Sequence, residues 1–121
     1  MRLALLAPLL FPLSASPLAP VPAAAMDLPL RGTFAVDAGD CRAAREETEG
    51  AYVVFDGASV GHGGQGGCDV SAIRKIGPDQ WALAAVCAGL EGPKTRKTLR
   101  LARRGKSAIE YDGQIYTRCP N

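Results

Sequence analysis

The chain reads as an all-β protein, a small antiparallel up-and-down barrel of about eight strands. Three observations predict this. Short apolar segments alternate inward and outward positions, as Leu99 and Leu101 do against Thr98, Arg100 and Ala102, and as Ile109 and Tyr111 do against Ala108 and Glu110. Turn signals recur at close spacing, at Asp56-Gly57, Gly77-Pro78-Asp79, Arg104-Gly105 and Asp112-Gly113. No apolar-periodic stretch is long enough for a helical crossover, so neighbouring strands must be joined by tight turns. Closing such a meander removes its exposed edges, which makes a barrel the expected outcome and a two-sheet β-sandwich the structural rival.

The first 25 residues read as a cleaved leader. Arg2 is followed by the nearly all-apolar run from Leu3 to Leu13, then by a Ser/Pro/Ala stretch ending in Ala23-Ala24-Ala25, the small-x-small form read by signal peptidase. Prolines between Leu3 and Met26 disfavour a membrane-spanning helix, because each removes a hydrogen bond and clashes with the preceding turn. No cysteine occurs before Cys41, so no lipid-acylation site is expected. The expected product is a single domain over 26–121, periplasmic or secreted, without a transmembrane segment. Removing Arg2 leaves 13 basic and 12 acidic groups. That near-neutrality, together with export, excludes nucleic acid as the expected partner.

Taken in order, Asp27 to Leu30 is a lead-in and Gly32 to Asp37 a first strand rich in aromatic and β-branched character. Ala38 to Gly50 holds at most two turns of helix, with Asp40 a possible cap. Ala51 to Phe55 and Ala58 to His62 pair about Asp56-Gly57. The stretch from Cys68 to Cys87 then folds on itself, with Lys75 and Gln80 flanking a four-residue loop from Ile76 to Asp79 in which Gly77 can take positive φ. Trp81, Leu83, Ala85 and Cys87 share its inner face. A loop from Ala88 to Lys94 leads to strands over Thr95 to Arg103, Lys106 to Tyr111 and Gln114 to Cys119.

Four cysteines in an exported domain of this size point to two disulfides. In the register set by the four-residue loop, Cys68 and Cys87 face each other at a separation a disulfide tolerates. That pairing leaves Cys41 with Cys119. The alternative joins Cys41 to Cys68 and Cys87 to Cys119. No CxxC pair occurs, so a structural zinc site is not expected, and no other metal or cofactor is implied.

Two stretches could carry function. Gly57 to Gly67 matches the GxSxG elbow at Ser59 and, from Gly61, the GxGxxG fingerprint. Both motifs require a strand leading into a helix, whereas this segment lies within hairpins, so neither catalysis at Ser59 nor nucleotide binding is expected. The residues nominated here are His62, the sole histidine, with Gly63 and Gly64, on a glycine-rich connection expected to be flexible and solvated. The second stretch, Lys94 to Lys106, places Arg96, Arg100 and Arg104 on one outward face of a strand. This stripe suits an acidic protein, an anionic glycan or lipid head groups, unless it meets the acidic run Asp37, Asp40, Glu46, Glu47 and Glu49 within the fold.

The order of leader, first strand, cysteine, Tyr52-Val53-Val54-Phe55-Asp56-Gly57 hairpin, cysteine hairpin and terminal Tyr116-Thr117-Arg118-Cys119 resembles a group of small exported proteobacterial β proteins. More loosely, the chain resembles the small periplasmic inhibitor-type barrels, of lipocalin-like build, that act on proteases or lysozymes. It lacks the early tryptophan of the protease-inhibitor barrels, its only tryptophan being Trp81. The resemblance implies a non-catalytic binding module and transfers no inhibitory residue. A structural or assembly role in the bacterial envelope is the alternative, and a hydrolase built on Ser59 and His62 a distant one.

Overall fold

A computed structural model describes residues 21–22, 27–89 and 91–121. Apart from Val21–Pro22, the leader expected from the sequence lies outside the described residues. The strands are β1 Val21–Pro22, β2 Gly32–Ala35, β3 Tyr52–Asp56, β4 Ser59–His62, β5 Gly67–Gly77, β6 Gln80–Ala88, β7 Thr95–Arg104, β8 Ala108–Tyr111 and β9 Gln114–Arg118; the helix α1 spans Ala38–Arg45. Strands β2 to β9 form a closed eight-stranded antiparallel barrel in which every strand except β2 and β9 pairs with its neighbours in sequence, and the β2–β9 pairing closes the ring. Val21 and Pro22 add a short antiparallel pair outside this ring, against Ile73 and Ala72.

The barrel is filled. Phe34, Val53, Phe55, Val60, Leu83, Leu101 and Ile109 are each below 2% or at 2% exposure and come from six of the eight strands. Phe34 packs edge-on to Phe55 at 5.7 Å, and Phe55 edge-on to Tyr111 at 5.6 Å, so an aromatic column runs up the interior. Inward alternation along β6, β7 and β8 follows the sequence pattern: Leu83, Ala85, Leu99, Leu101, Ile109 and Tyr111 are all buried. Leu28 and Leu30 of the lead-in close one end, where Leu28 N–H donates to the Gly57 carbonyl in the β3–β4 turn.

Both expected disulfides are present. Cys68–Cys87 bridges β5 and β6 directly, and Cys41–Cys119 ties α1 to the residue after β9. In the chain-entropy description, loops of 19 and 78 residues contribute roughly 3 and 4.5 kcal/mol.

Several local expectations are corrected. The β5–β6 turn is two residues, Pro78-Asp79, and Asp79 rather than Gly77 takes positive φ. Cys68 still faces Cys87, but two irregularities, between Val70 and Ala72 and between Lys75 and Gly77, shift the register so that Gly77 faces Gln80. Such bulges bend and coil a long hairpin, which barrel closure requires. The first hairpin turns at Gly57-Ala58, with Gly57 at φ +65°, because Asp56 still pairs with Ser59. Helix α1 is capped by Asp37, whose carboxylate accepts from Asp40 N–H at 2.9 Å; Asp40 instead accepts from Ala51 N–H at 3.0 Å and so holds the chain returning from the helix.

Candidate functional site

Up-and-down connectivity sorts the loops between two ends. The end opposite Leu28 and Leu30 carries the α1–β3 connection, the β4–β5 loop and the β8–β9 turn. These surround a cleft of about 620 Å³ lined by Glu49, Tyr52, His62, Gln65, Tyr111, Asp112, Gln114 and Tyr116, with Gly50, Ala51, Val53 and Gly63 completing the wall.

Strand alternation explains how the groups arrive there. Val60 is buried inside, so His62, two residues on, points to the same face at the strand end. Ile109 is buried inside, and Tyr111 follows it to the mouth. Tyr116 faces Ile109 across the β8–β9 ladder and therefore shares that inner face. The turn between them, Asp112-Gly113, has φ of +50° and +89°, which projects Asp112 from the rim, and Asp112 N–H is fixed to the Arg100 carbonyl at 2.8 Å.

His62 Nε2 lies 2.8 Å from the Tyr111 hydroxyl. The half-buried imidazole has its pKa lowered, first by loss of water and then by the Lys97 ammonium, with Asp112 opposing in part. Burial, reinforced by Asp112 and Tyr116, pushes the Tyr111 phenol up. Near neutrality the pair is therefore an uncharged imidazole and a protonated phenol, and the Tyr111 hydroxyl donates to Nε2 when the ring proton is on Nδ1. Tyr116 is raised in the same direction by burial and Asp112. The rings form a graded surface, with His62–Tyr111 centroids at 5.6 Å and Tyr111–Tyr116 at 6.4 Å. Tyr52 stands across the cleft and donates its hydroxyl to the Thr48 carbonyl at 2.8 Å.

The glycine-rich connection is packed rather than slack. Gly63 is buried, its N–H donates to the Tyr52 carbonyl at 2.9 Å, and a Cβ there would collide with the Gly50 carbonyl and the Tyr52 ring. A Cβ on Gly64 would strike Glu49, so the second glycine lets that stem lie against the loop. His62 N–H to the Gly66 carbonyl at 2.8 Å and Gln65 N–H to the His62 carbonyl at 3.0 Å close the turn. His62 is therefore an ordered, partnered side chain, not a solvated loop histidine.

The structure brings His62, Gly63 and Gly64 to the mouth region but leaves Arg96, Arg100 and Arg104 elsewhere. The three arginines point outward from β7; Arg104 is paired with Glu110 at 2.6 Å, and Arg100 lies level with Arg74 across Ala82. The acidic run from Asp37 to Glu49 does not meet this stripe: among the described residues, the ion pairs are Arg31–Asp27 and Arg104–Glu110. Ser59 and His62 are also separated in role. Ser59 donates to Asp69 at 3.3 Å, whereas the His62 Nε2 is occupied by Tyr111. Among the described residues no group of three His, Cys, Asp or Glu side chains is placed to hold a metal ion.

The residues that the sequence reading did not nominate are Tyr52, Tyr111, Tyr116, Gln65, Gln114, Asp112 and Glu49. The available signal was the in-out alternation itself, which puts His62 and Tyr111 one step beyond a core residue on the same face. Compared with models of protein families, with curated proteins and with solved structures, the chain shows no match.

Proposed function

We propose that the protein is an exported, non-catalytic binding module that receives a projecting group of its ligand in the cleft at the barrel mouth, as an inhibitor-type barrel does. The observation that carries this reading is the contrast between the ends of one filled barrel. The interior is packed with side chains at or below 2% exposure, while the mouth gathers four aromatic rings, two carboxamides and two carboxylates from three separate segments. A filled interior leaves rims and outer faces for recognition, and rims built from ordered loops are favoured sites. The lining contains Glu49 and Asp112 and no lysine or arginine, so the cleft suits a neutral polar or cationic group. The leader and two disulfides support a periplasmic or secreted setting. The non-catalytic reading is supported by the commitment of Ser59 to Asp69 and of His62 to Tyr111.

One observation favours a second reading, assembly with other copies. The basic outer face at Arg74, Arg96 and Arg100 and the acidic segment from Asp37 to Glu49 are complementary but do not meet within the chain. An acidic protein, anionic glycan or lipid head group would dock on the same basic face.

Capture from envelope extract at low and moderate salt separates these readings. A defined soluble partner should be retained by wild type and by Arg96→Ser with Arg100→Ser, and lost with Gln114→Lys, which places an ammonium over the cleft. Recovery that is indifferent to Gln114→Lys would overturn the cleft reading. Recovery only of the protein itself, dependent on the arginines, would establish the assembly reading instead.

A further inference from the structure

The sealed end of the barrel has a cleft of its own, of about 580 Å³, between the lead-in and the β7–β8 loop. Its lining includes Arg31, Arg103, Lys106 and Arg118, with no carboxylate among the lining residues. This is the opposite charge character to the mouth. None of these four cations belongs to the outward stripe of β7.

Two of the three guanidiniums, those of Arg118 and Arg103, are held in place by uncharged groups. Arg118 donates through Nη1 to the Arg31 carbonyl at 3.0 Å, and its guanidinium carbon lies 4.5 Å from the centre of the Phe34 ring. Arg103 donates through Nη2 to the Pro29 carbonyl at 3.3 Å and lies 5.7 Å from the centre of a Trp81 ring. Each side chain is thus oriented by one N–H and one aromatic face. Among the described residues neither guanidinium is in an ion pair, and each keeps further N–H donors that meet no acceptor. Gly32 contributes by its lack of a side chain: at φ +117° its Cβ would fall 2.6 Å from Arg118 Nη1. The Arg118 N–H to Ser107 carbonyl bond, at 2.7 Å, draws the loop bearing Lys106 against the same edge.

Guanidiniums pinned on one edge present their remaining donors as a planar fork, which matches oxygen pairs of a tetrahedral anion, and they lose little further freedom on binding. Arg31 is already paired with Asp27 at 3.1 Å, but Arg103, Arg118 and Lys106 meet no carboxylate among the described residues, and three such cations neutralise a doubly charged group better than a single carboxylate. We propose that this end of the barrel is a binding site for a phosphate or sulfate group, held by Arg103 and Arg118 with Arg31 and Lys106 at the margin. The site is independent of the mouth cleft, and either can fail without the other.

The test is an NMR titration of the disulfide-bonded protein, following arginine Nε–Hε signals at constant ionic strength. Inorganic phosphate, sulfate, glycerol phosphate and acetate are added separately. Saturable shifts of Arg103 and Arg118 with phosphate or sulfate, and weaker ones with acetate, are expected, while Arg96 and Arg100 stay unmoved. Tighter binding of glycerol phosphate than of inorganic phosphate would support an ester group as the natural ligand; the reverse order would support the free ion. Arg118→Gln should weaken phosphate binding about fivefold or more, the loss expected for one charge-assisted contact at a partly exposed site. Gly32→Ala should weaken it as well, although every cation is retained. Parallel, unsaturable shifts of all the arginines, or an unchanged affinity in Arg118→Gln, would overturn the proposal.

Discussion

Replacing Gly63 by alanine adds one methyl group at the point where the β4–β5 loop meets the segment entering β3. That methyl would overlap the Gly50 carbonyl and approach two carbons of the Tyr52 ring at 2.7 and 2.8 Å. Neither neighbour can yield freely. The Gly63 N–H is bonded to the Tyr52 carbonyl at 2.9 Å, and the Tyr52 hydroxyl is tied to Thr48 at 2.8 Å. Overpacking of this kind costs about 1–3 kcal/mol. In a domain of this size, each kcal/mol lowers Tm by roughly 4–8 °C, so a fall of roughly 4–24 °C is expected. Gly61→Ala is the matched control, because its methyl would meet only the Val54 Cβ at 4.0 Å. Urea unfolding with an unchanged slope measures both. Gly61→Ala should lie within about 1 kcal/mol of wild type, or above it, since alanine restricts the unfolded chain. Equal stabilities for the two variants would refute the packed-loop reasoning, and with it the claim that glycine at 63 shapes the cleft wall.

Four other outcomes follow from the structure. Because His62 is lowered by burial and Lys97, its NMR titration should have a midpoint below 6.5; the unfolded chain binds that proton first as pH falls, so stability drops through the window just below 6.5. Tyr111 is raised, so above pH 10 the unfolded chain ionises first and stability falls as pH rises; absorbance titration should place the Tyr111 midpoint above 10. Leu83→Ala, at a side chain with 0% exposure, should cost about 2–5 kcal/mol by calorimetry. Replacing Cys41 and Cys119 by serine should cost more than replacing Cys68 and Cys87, roughly 4.5 against 3 kcal/mol, as read from denaturant midpoints.

Local order was legible in the residues because its causes are local. Asp112-Gly113 takes positive φ at both positions, and the alternation of Leu99 with Leu101 gives an inner face; counting back from a four-residue loop pairs Cys68 with Cys87 only because the two bulges offset the observed two-residue turn. What could not be read depends on closure. The bulges after Val70 and Lys75 answer the curvature of the whole barrel, and nothing in the identities of Ser71 or Ile76 demands them. The His62–Tyr111 contact spans 49 residues and exists because β2 pairs with β9, which brings the β3–β4 hairpin round to the β8–β9 hairpin. Glycine-rich sequence suggests slack in isolation; here Gly63 and Gly64 are small because Gly50, Tyr52 and Glu49 occupy the space. The basic strand drew notice through its density of charge, whereas Arg103 and Arg118 gain their setting from Trp81, Phe34 and two carbonyls remote in sequence.

Site-specific photo-crosslinking in cells exporting the protein tests the central claim, that recognition occurs at the barrel mouth. A photoreactive side chain is placed at Gln65 or Gln114, on the cleft rim, and in parallel at Thr98, on the exposed outer face of β7. A common adduct is expected from both rim positions, absent at Thr98 and suppressed by Asp112→Asn, a change the left-handed turn tolerates. An adduct formed at Thr98 and at neither rim position would contradict that claim.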